Sequence, residues 1–168
     1  MPKKYGGGAM ALVETLIILR KDQIKSILPH RGRMLLLDTV KISDEEVIGE
    51  FTVTDEVCEG HCFNGEGIFR GSDFYDMASQ LLGVWACQSL NLLEGVAFVR
   101  TYGEAKFIGR VGPCNELIMK VNKNNLKIET IKRSDGVLKI FGSCFEAKVD
   151  GCLKVKISSL ELIHYPTS

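Results

Sequence analysis

Apolar residues recur at every second position through much of the chain and at every third or fourth in one long stretch, a contrast that predicts a sheet built around a helix. VIGEFTV sets Val47, Gly49, Phe51 and Val53 on one face, and MLLLDTVKI, beginning at Met34, reads as the strand paired with it through a hairpin at SDEE. Alternation returns in VAFVRTYGEAKFIG, ELIMKVNK, KIFGSCFEAKV and LKVKISSLELI, with LKIETIKR as a further strand. Ser134-Asp135-Gly136 and Asp150-Gly151 supply short hairpin turns. Leu153, Val155 and Ile157 alternate with Lys154 and Lys156, so one sheet face is core and the other wet. Between the two groups of strands lies SDFYDMASQLLGVWACQSLNLLEG, where Phe74, Met77, Ala78, Leu81, Leu82, Trp85, Ala86 and Leu90 recur at helical spacing around most of the circumference. A helix apolar nearly all round is buried nearly all round. A shorter helix is expected in KDQIKSIL, with Asp22 near its start and Pro29 ending it. The economical packing is a curved antiparallel sheet wrapped around the one long helix, an α+β architecture.

Composition narrows the class of protein. The 168 residues, 45% apolar and 25% charged, suit one domain with a single core. The opening MPKKYGGGAM carries charge and a triple glycine without an apolar period. Residues 1–10 are therefore expected to be a flexible leader, with Met10 a candidate start, ahead of a single domain over 11–168. Basic and acidic residues balance at 21 each, which removes the global field expected of a nucleic-acid binder and confines any acidic partner to a local patch. Apolar runs such as Leu16 to Leu19 are far shorter than the roughly 20 residues of a spanning helix, so no membrane role is expected. A chain of this size needs no staples, and Cys58, Cys62, Cys87, Cys114, Cys144 and Cys152 read as reduced thiols of a cytoplasmic protein.

Candidate chemistry concentrates in GHCFNGEGIFRGSDFYDMASQ, residues 60–80. Ser72 is a good N-cap, which puts Asp73 and Asp76 in the first turn, where the helix dipole favours anions. That suffices for Asp73, whose side chain can stay near solvent. Asp76 falls beside Ser72 and Gln80, flanked by Phe74 and Met77 on a helix with little exposed surface, and burial favours its protonated, proton-donating form. His61 taken alone is more often a hydrogen-bonded core residue than a base. Gly71, immediately before the helix, changes the picture, because it leaves backbone N–H groups bare where an oxyanion can sit. Base, oxyanion donor and buried acid then share one short segment. Cys58, His61 and Cys62 offer three zinc ligands without a clear fourth, and Gly65, Gly67 and Gly71 have neither the lysine nor the spacing of a phosphate loop. His30 reads as part of a Leu-Pro-His-Arg turn and His164 as surface. Arg31 and Arg33, with Arg100, Lys106 and Arg110 on one face of a strand, read as solvated charge. Tyr102, Phe107, Leu81, Leu82 and Trp85 read as core, some of them available to line a tunnel.

The same segment resembles the active-site segment of the beta-hydroxyacyl-acyl carrier protein dehydratases of fatty acid synthesis, whose pattern runs GHFPG, then PxMPG, then a helix containing EAMAQ or DAMWQ. Ile27-Leu28-Pro29-His30-Arg31 followed by Leu35-Leu36-Leu37-Asp38 resembles that family's LPHRxPFLLVDRV, and Ala105-Lys106-Phe107 with Val111-Gly112-Pro113-Cys114-Asn115-Glu116-Leu117 resembles its RF and VxPGDxL. The resemblance runs in order over about residues 22–163. It implies a hotdog fold, with His61 as catalytic histidine, Asp76 as partner carboxylate, Gly71 N–H polarising the thioester carbonyl, Gln80 orienting the carboxylate, and Phe63 and Ile68 beside the substrate. It also implies a homodimer in which His61 of one subunit meets Asp76 of the other, with a trimer of dimers left open. The implied substrate is a (3R)-3-hydroxyacyl thioester carried on the phosphopantetheine of acyl carrier protein, converted to a trans-2-enoyl thioester without metal, nucleotide or redox cofactor. The basic residues then become a landing patch for that acidic carrier. A hotdog thioesterase and a non-catalytic acyl-binding subunit are the alternatives. The chain departs from the family pattern in three ways. Asn64, Gly67 and Arg70 replace the loop prolines, with Cys62 an apparent insertion; aspartate stands at 76, as in the dehydratase/isomerase branch; and Cys114-Asn115 replaces Gly-Asp.

Overall fold

The structure, a computed structural model, describes residues 15–92, 94–134 and 136–166; residues 1–10, expected to be a leader, lie outside them. In chain order the elements are β1 (Ile17–Arg20), α1 (Lys21–Ile27), β2 (Thr39–Ile42), β3 (Glu46–Thr52), α2 (Asp55–Cys58), β4 (Cys62–Phe63), β5 (Glu66–Gly67), α3 (Gly71–Ser89), β6 (Val96–Tyr102), β7 (Ala105–Phe107), β8 (Glu116–Asn122), β9 (Lys127–Arg133), β10 (Gly136–Val149) and β11 (Cys152–Tyr165). The strands other than β4 and β5 form one antiparallel sheet in the order β1-β2-β3-β8-β10-β11-β6, with β7 beside β11 and β9 beside β10. Alternation does the work that the pattern predicts: Val47, Gly49 and Phe51 of β3 and Leu117, Met119 and Val121 of β8 turn inward onto α3. Met77, Ala78, Leu81, Leu82, Val84 and Trp85 of α3 are buried, and the helix packs against β10, β11 and β3. Gly49 marks the tightest approach, since a Cβ there would lie 2.7 Å from Leu37 Cδ2 and 3.1 Å from Leu81 Cδ1.

Three local features differ from the pattern. Ile17–Arg20 is a strand, paired with Thr39–Ile42, although it runs straight into α1 and mixes basic with apolar residues. The stretch from Met34 is not a strand at its start: Gly32–Met34 form a turn of 3-10 helix, Leu35, Leu36 and Leu37 are all buried, and the strand begins only at Thr39. In β11 an extra residue sits between Ile157, opposite Phe145, and Leu160, opposite Ser143. That bulge reverses the inward parity from Val155 and Ile157 to Leu160, Leu162 and His164. His164, expected at the surface, is consequently buried, and its Nε2 lies 2.8 Å from the carbonyl oxygen of Glu94. Asp150 and Gly151 both adopt positive φ, 49° and 75°, as a two-residue hairpin turn requires; Asp135 of the other expected turn lies outside the described residues. The six thiols are free, and among the described residues no helix is long and apolar enough to cross a membrane.

Candidate active site

His61 is held by a small hairpin that the glycine-rich spacing disguised. β4 and β5 pair across Asn64 (φ 53°) and Gly65 (φ 79°), whose positive φ values make an Asn-Gly type I′ turn. Just outside the hairpin, Ile68 N–H donates to the His61 carbonyl at 2.8 Å, and His61 Nδ1 lies 2.9 Å from the Ile68 carbonyl oxygen. A carbonyl oxygen only accepts, so Nδ1 carries the hydrogen and the Nε2 lone pair is left as the basic site of the neutral ring. The ring is exposed. The hairpin is tied down behind it: Phe69 N–H donates to Val111 O at 2.9 Å, the Phe69 ring is buried edge-on against Phe74 at 4.9 Å, and Arg110 Nη2 meets Glu66 Oε2 at 2.5 Å.

Helix α3 starts two residues earlier than a Ser72 cap implies, at Gly71, and Arg70 is its N-cap. The backbone N–H of Arg70 donates to Asp73 Oδ2 at 3.3 Å, so Asp73, not Ser72, closes the helix start. Asp73 is only 2% exposed, which corrects the expectation that it stays near solvent. A guanidinium explains why burial is tolerated: Arg70 Nη2 is 3.0 Å from Asp73 Oδ1. The Gly71 N–H has no acceptor among the described residues, and a Cβ at Gly71 would lie 3.1 Å from Phe107 Cζ.

Asp76 is half-buried one turn on, and its carboxyl is held above the usual carboxylate range. Burial is the main cause and the Asp73 charge adds to it, while His30 and Arg70 pull the other way. His30 is thus more than a turn residue. Burial lowers its pKa against the attraction of Asp76, and its Nδ1 is buried without a hydrogen-bond partner among the described residues. His30 also lines a cavity of about 610 Å³ between α1, α3 and β6, whose wall includes Gln80 and whose floor includes Phe141 and His164. Gln80, expected to orient Asp76, makes its hydrogen bonds to the segment before β2. Its Oε1 accepts from Leu36 N–H at 2.9 Å and its Nε2 donates to Met34 O at 2.7 Å, so the amide pins the segment before β2 to the central helix.

Within one chain, therefore, Asp76, His30, Arg70, Asp73 and Tyr102 are brought together, while His61 is engaged with Ile68 elsewhere on the loop. Phe63 is 61% exposed and Ile68 half-buried, both beside the hairpin. Tyr102 and Phe107, expected in the core, are exposed, as are Phe98 and Ile108. These residues mark the side of the molecule where β6 pairs with β11 on one edge and has no strand on the other among the described residues. The expected basic face is likewise dispersed: Arg100 lies on β6 and pairs with Glu161, Lys106 lies on β7, and Arg110 follows it and pairs with Glu66. Arg70 and Asp73 are the pair that sequence reasoning did not join, although their i,i+3 spacing across a helix start is the available signal.

Known proteins match this chain over most of its length. It is 34% identical over 122 residues to the 3-hydroxyacyl-[acyl-carrier-protein] dehydratase FabZ of Thermotoga petrophila, covering 71% of this chain and 85% of that protein. It is 30% identical over 139 residues to the protein of the same description from Pectobacterium atrosepticum, covering 79% and 85%. Among solved structures, the dehydratase heterocomplex ApeI:P from Xenorhabdus doucetiae matches with a TM-score of 0.58 at 19% identity over 86% of this chain and 91% of that one, a likeness of fold. No family model matches.

Proposed function

The chain belongs to the 3-hydroxyacyl-acyl carrier protein dehydratase family, and on that premise we propose that His61 of one protomer and Asp76 of its partner together remove water from a (3R)-3-hydroxyacyl thioester. The chain is a hydro-lyase of fatty acid biosynthesis with the hotdog fold. His61 Nε2 takes the proton from C2, and the electron pair moves toward the thioester carbonyl, whose oxygen is met by Gly71 N–H. Asp76 gives its proton to the departing hydroxyl, water leaves from C3, and the trans-2-enoyl thioester remains. The imidazolium then returns its proton to the carboxylate, which restores both groups and balances the cycle. No redox equivalent is consumed, and the phosphopantetheine arm belongs to the substrate.

The observation that carries this reading is the complementary setting of the two groups: an imidazole whose Nδ1 is committed to a carbonyl, leaving Nε2 as base, and a half-buried carboxyl whose burial shifts it toward the proton-donating form. The open β6 edge, with exposed Val96, Phe98 and Tyr102, supports an isologous dimer that brings His61 to Asp76 across the interface. The cavity beside His30 suits the acyl chain. Arg31, Arg33 and Lys106 are the basic residues best placed by exposure to receive an acidic carrier protein, and we place the reaction in the cytoplasm with that carrier. Residues 11–168 act as one catalytic domain.

Ultraviolet absorbance of the enoyl thioester tests the reaction, with each group contributing about 10²- to 10⁴-fold. His61→Ala and Asp76→Asn each abolish turnover. Subunits of the two inactive variants, unfolded and reassembled together, regain about a quarter of wild-type activity, because half the dimers are mixed and each mixed dimer has one intact site of two. Normal turnover in either variant, or no recovery on mixing, rejects the shared site. Free thiol released without enoyl product identifies a thioesterase instead, and binding without either product a non-catalytic subunit.

A further inference from the structure

The mouth of α3 carries more charge than a helix start needs. One carboxylate oxygen accepting a backbone N–H is enough to cap it. Asp73 does this and also holds the Arg70 guanidinium, with Nε at 3.1 and 3.0 Å from its two oxygens and Nη2 at 3.0 Å from Oδ1. The Asp73 side chain is 3% exposed and that of Arg70 41%, so a buried anion is locked to a cation at the rim. The i,i+3 spacing puts Asp73 and Asp76 on one helix face, one turn apart. Where Arg70 stands, the family pattern has proline, which can stiffen the turn but brings no charge.

We propose that Arg70 and Asp73 are positioning residues for Asp76, a locked pair of opposite charges that governs when the catalytic carboxyl carries its proton. The inference rests on the reading of Asp76 as the acid of the dehydration. Three groups of the same chain act on that carboxyl, Asp73 and Arg70 from the helix mouth and His30 from the segment after α1, while Tyr102 of β6 faces it and has its own pKa raised by burial first and by the Asp76 charge second. Asp73 favours the protonated acid and Arg70 opposes it, so the two members of one ion pair push Asp76 in opposite directions. His30 also opposes protonation, but it comes from a different element and stays in place when the pair is altered.

The test follows the alkaline limb of the kcat–pH profile in the full-length dimer, for wild type, Asp73→Asn and Arg70→Met. Asp73→Asn removes the anion, so Asp76 releases its proton earlier and the limb moves to lower pH, by up to about one unit. Arg70→Met leaves the anion uncompensated and moves the limb to higher pH. Arg70→Lys, which keeps the charge and loses the fork, retains the wild-type limb and covers the case in which Arg70→Met does not fold. A merely structural pair lowers Tm and kcat in both variants without opposite displacements. Limbs that stay put, or move the same way in the Asp73 and Arg70 variants, overturn the inference while loss of turnover in Asp76→Asn leaves the dehydratase reading standing. Turnover retained in Asp76→Asn removes both.

Discussion

Replacing Gln80 by leucine separates two roles for a residue that lies one turn from the candidate acid. The substitution keeps the side-chain volume nearly constant, and the site is 1% exposed. It removes the acceptor of Leu36 N–H and the donor to Met34 O. An unsatisfied buried polar group costs about 1–3 kcal/mol. Leu36 is buried, so its N–H loses that in full, whereas Met34 lies nearer solvent and its carbonyl recovers part of its hydration. The expected loss is about 2–4 kcal/mol, a large share of the roughly 5–15 kcal/mol of a typical domain. For a chain of this length that corresponds to a fall in Tm of about 5–15 °C. Urea unfolding followed by circular dichroism, at fixed protein concentration so that the proposed dimer contributes equally to both proteins, measures it. The m-value stays constant, since the surface exposed on unfolding does not change. A stability within about 0.5 kcal/mol of wild type, combined with a displaced pH–rate profile, shows that the amide serves Asp76 instead and refutes the anchoring role.

Two further outcomes follow from the same coordinates. The folded-state pKa of Asp76 is raised, so its stabilising contribution is complete below the ordinary carboxylate range and is lost as pH rises through the raised value. Asp76→Asn therefore matches wild-type Tm in acid and exceeds it by a gap that opens as pH rises through the raised value and then levels off; a gap that is the same in acid as at high pH, or shrinks between them, contradicts the assignment. Gly49→Ala drives a methyl against Leu37 and Leu81, both fully buried, and costs about 1–3 kcal/mol by overpacking, read as a lower urea midpoint with activity per folded molecule preserved.

The architecture was legible because it rests on periodicities that one chain sets by itself. Val47, Gly49 and Phe51 face inward as their spacing requires, and Met77, Leu82 and Ala86 bury the helix on more than one side. His164 was misread because parity is a rule about an uninterrupted ladder, and the bulge between Ile157 and Leu160 reverses it without a glycine to announce the change. Leu35 to Leu37 look like strand but are held by a side chain from α3, a contact between residues more than 40 positions apart that no local pattern contains. Tyr102 and Phe107 failed as core for a different reason. Their aromatic rings lie along the open sheet edge, where this chain has nothing to pack over them among the described residues and the proposed second copy would supply the burial.

The missing prolines illustrate how one local geometry can be reached by different physics. A proline removes backbone freedom from the unfolded chain, worth about 0.4–1 kcal/mol at a compatible position. Here Asn64-Gly65 fixes the loop through a hairpin turn, and Arg70 with Asp73 fixes its far end by an ion pair whose carboxylate is buried. Cys62 then has a reason to be present: it is the residue that pairs with Gly67 and completes β4, so the apparent insertion lengthens the loop by what a two-residue turn needs. The replacement is not equivalent, because covalent constraint is indifferent to pH and salt whereas a partly exposed guanidinium is not. Rigidity at His61 is carried by the backbone hydrogen bonds of the hairpin, with an exposed Arg110–Glu66 pair behind it, and the buried carboxylate of the loop sits at the helix mouth, one turn from Asp76. That division places the buried, locked charge next to the candidate acid.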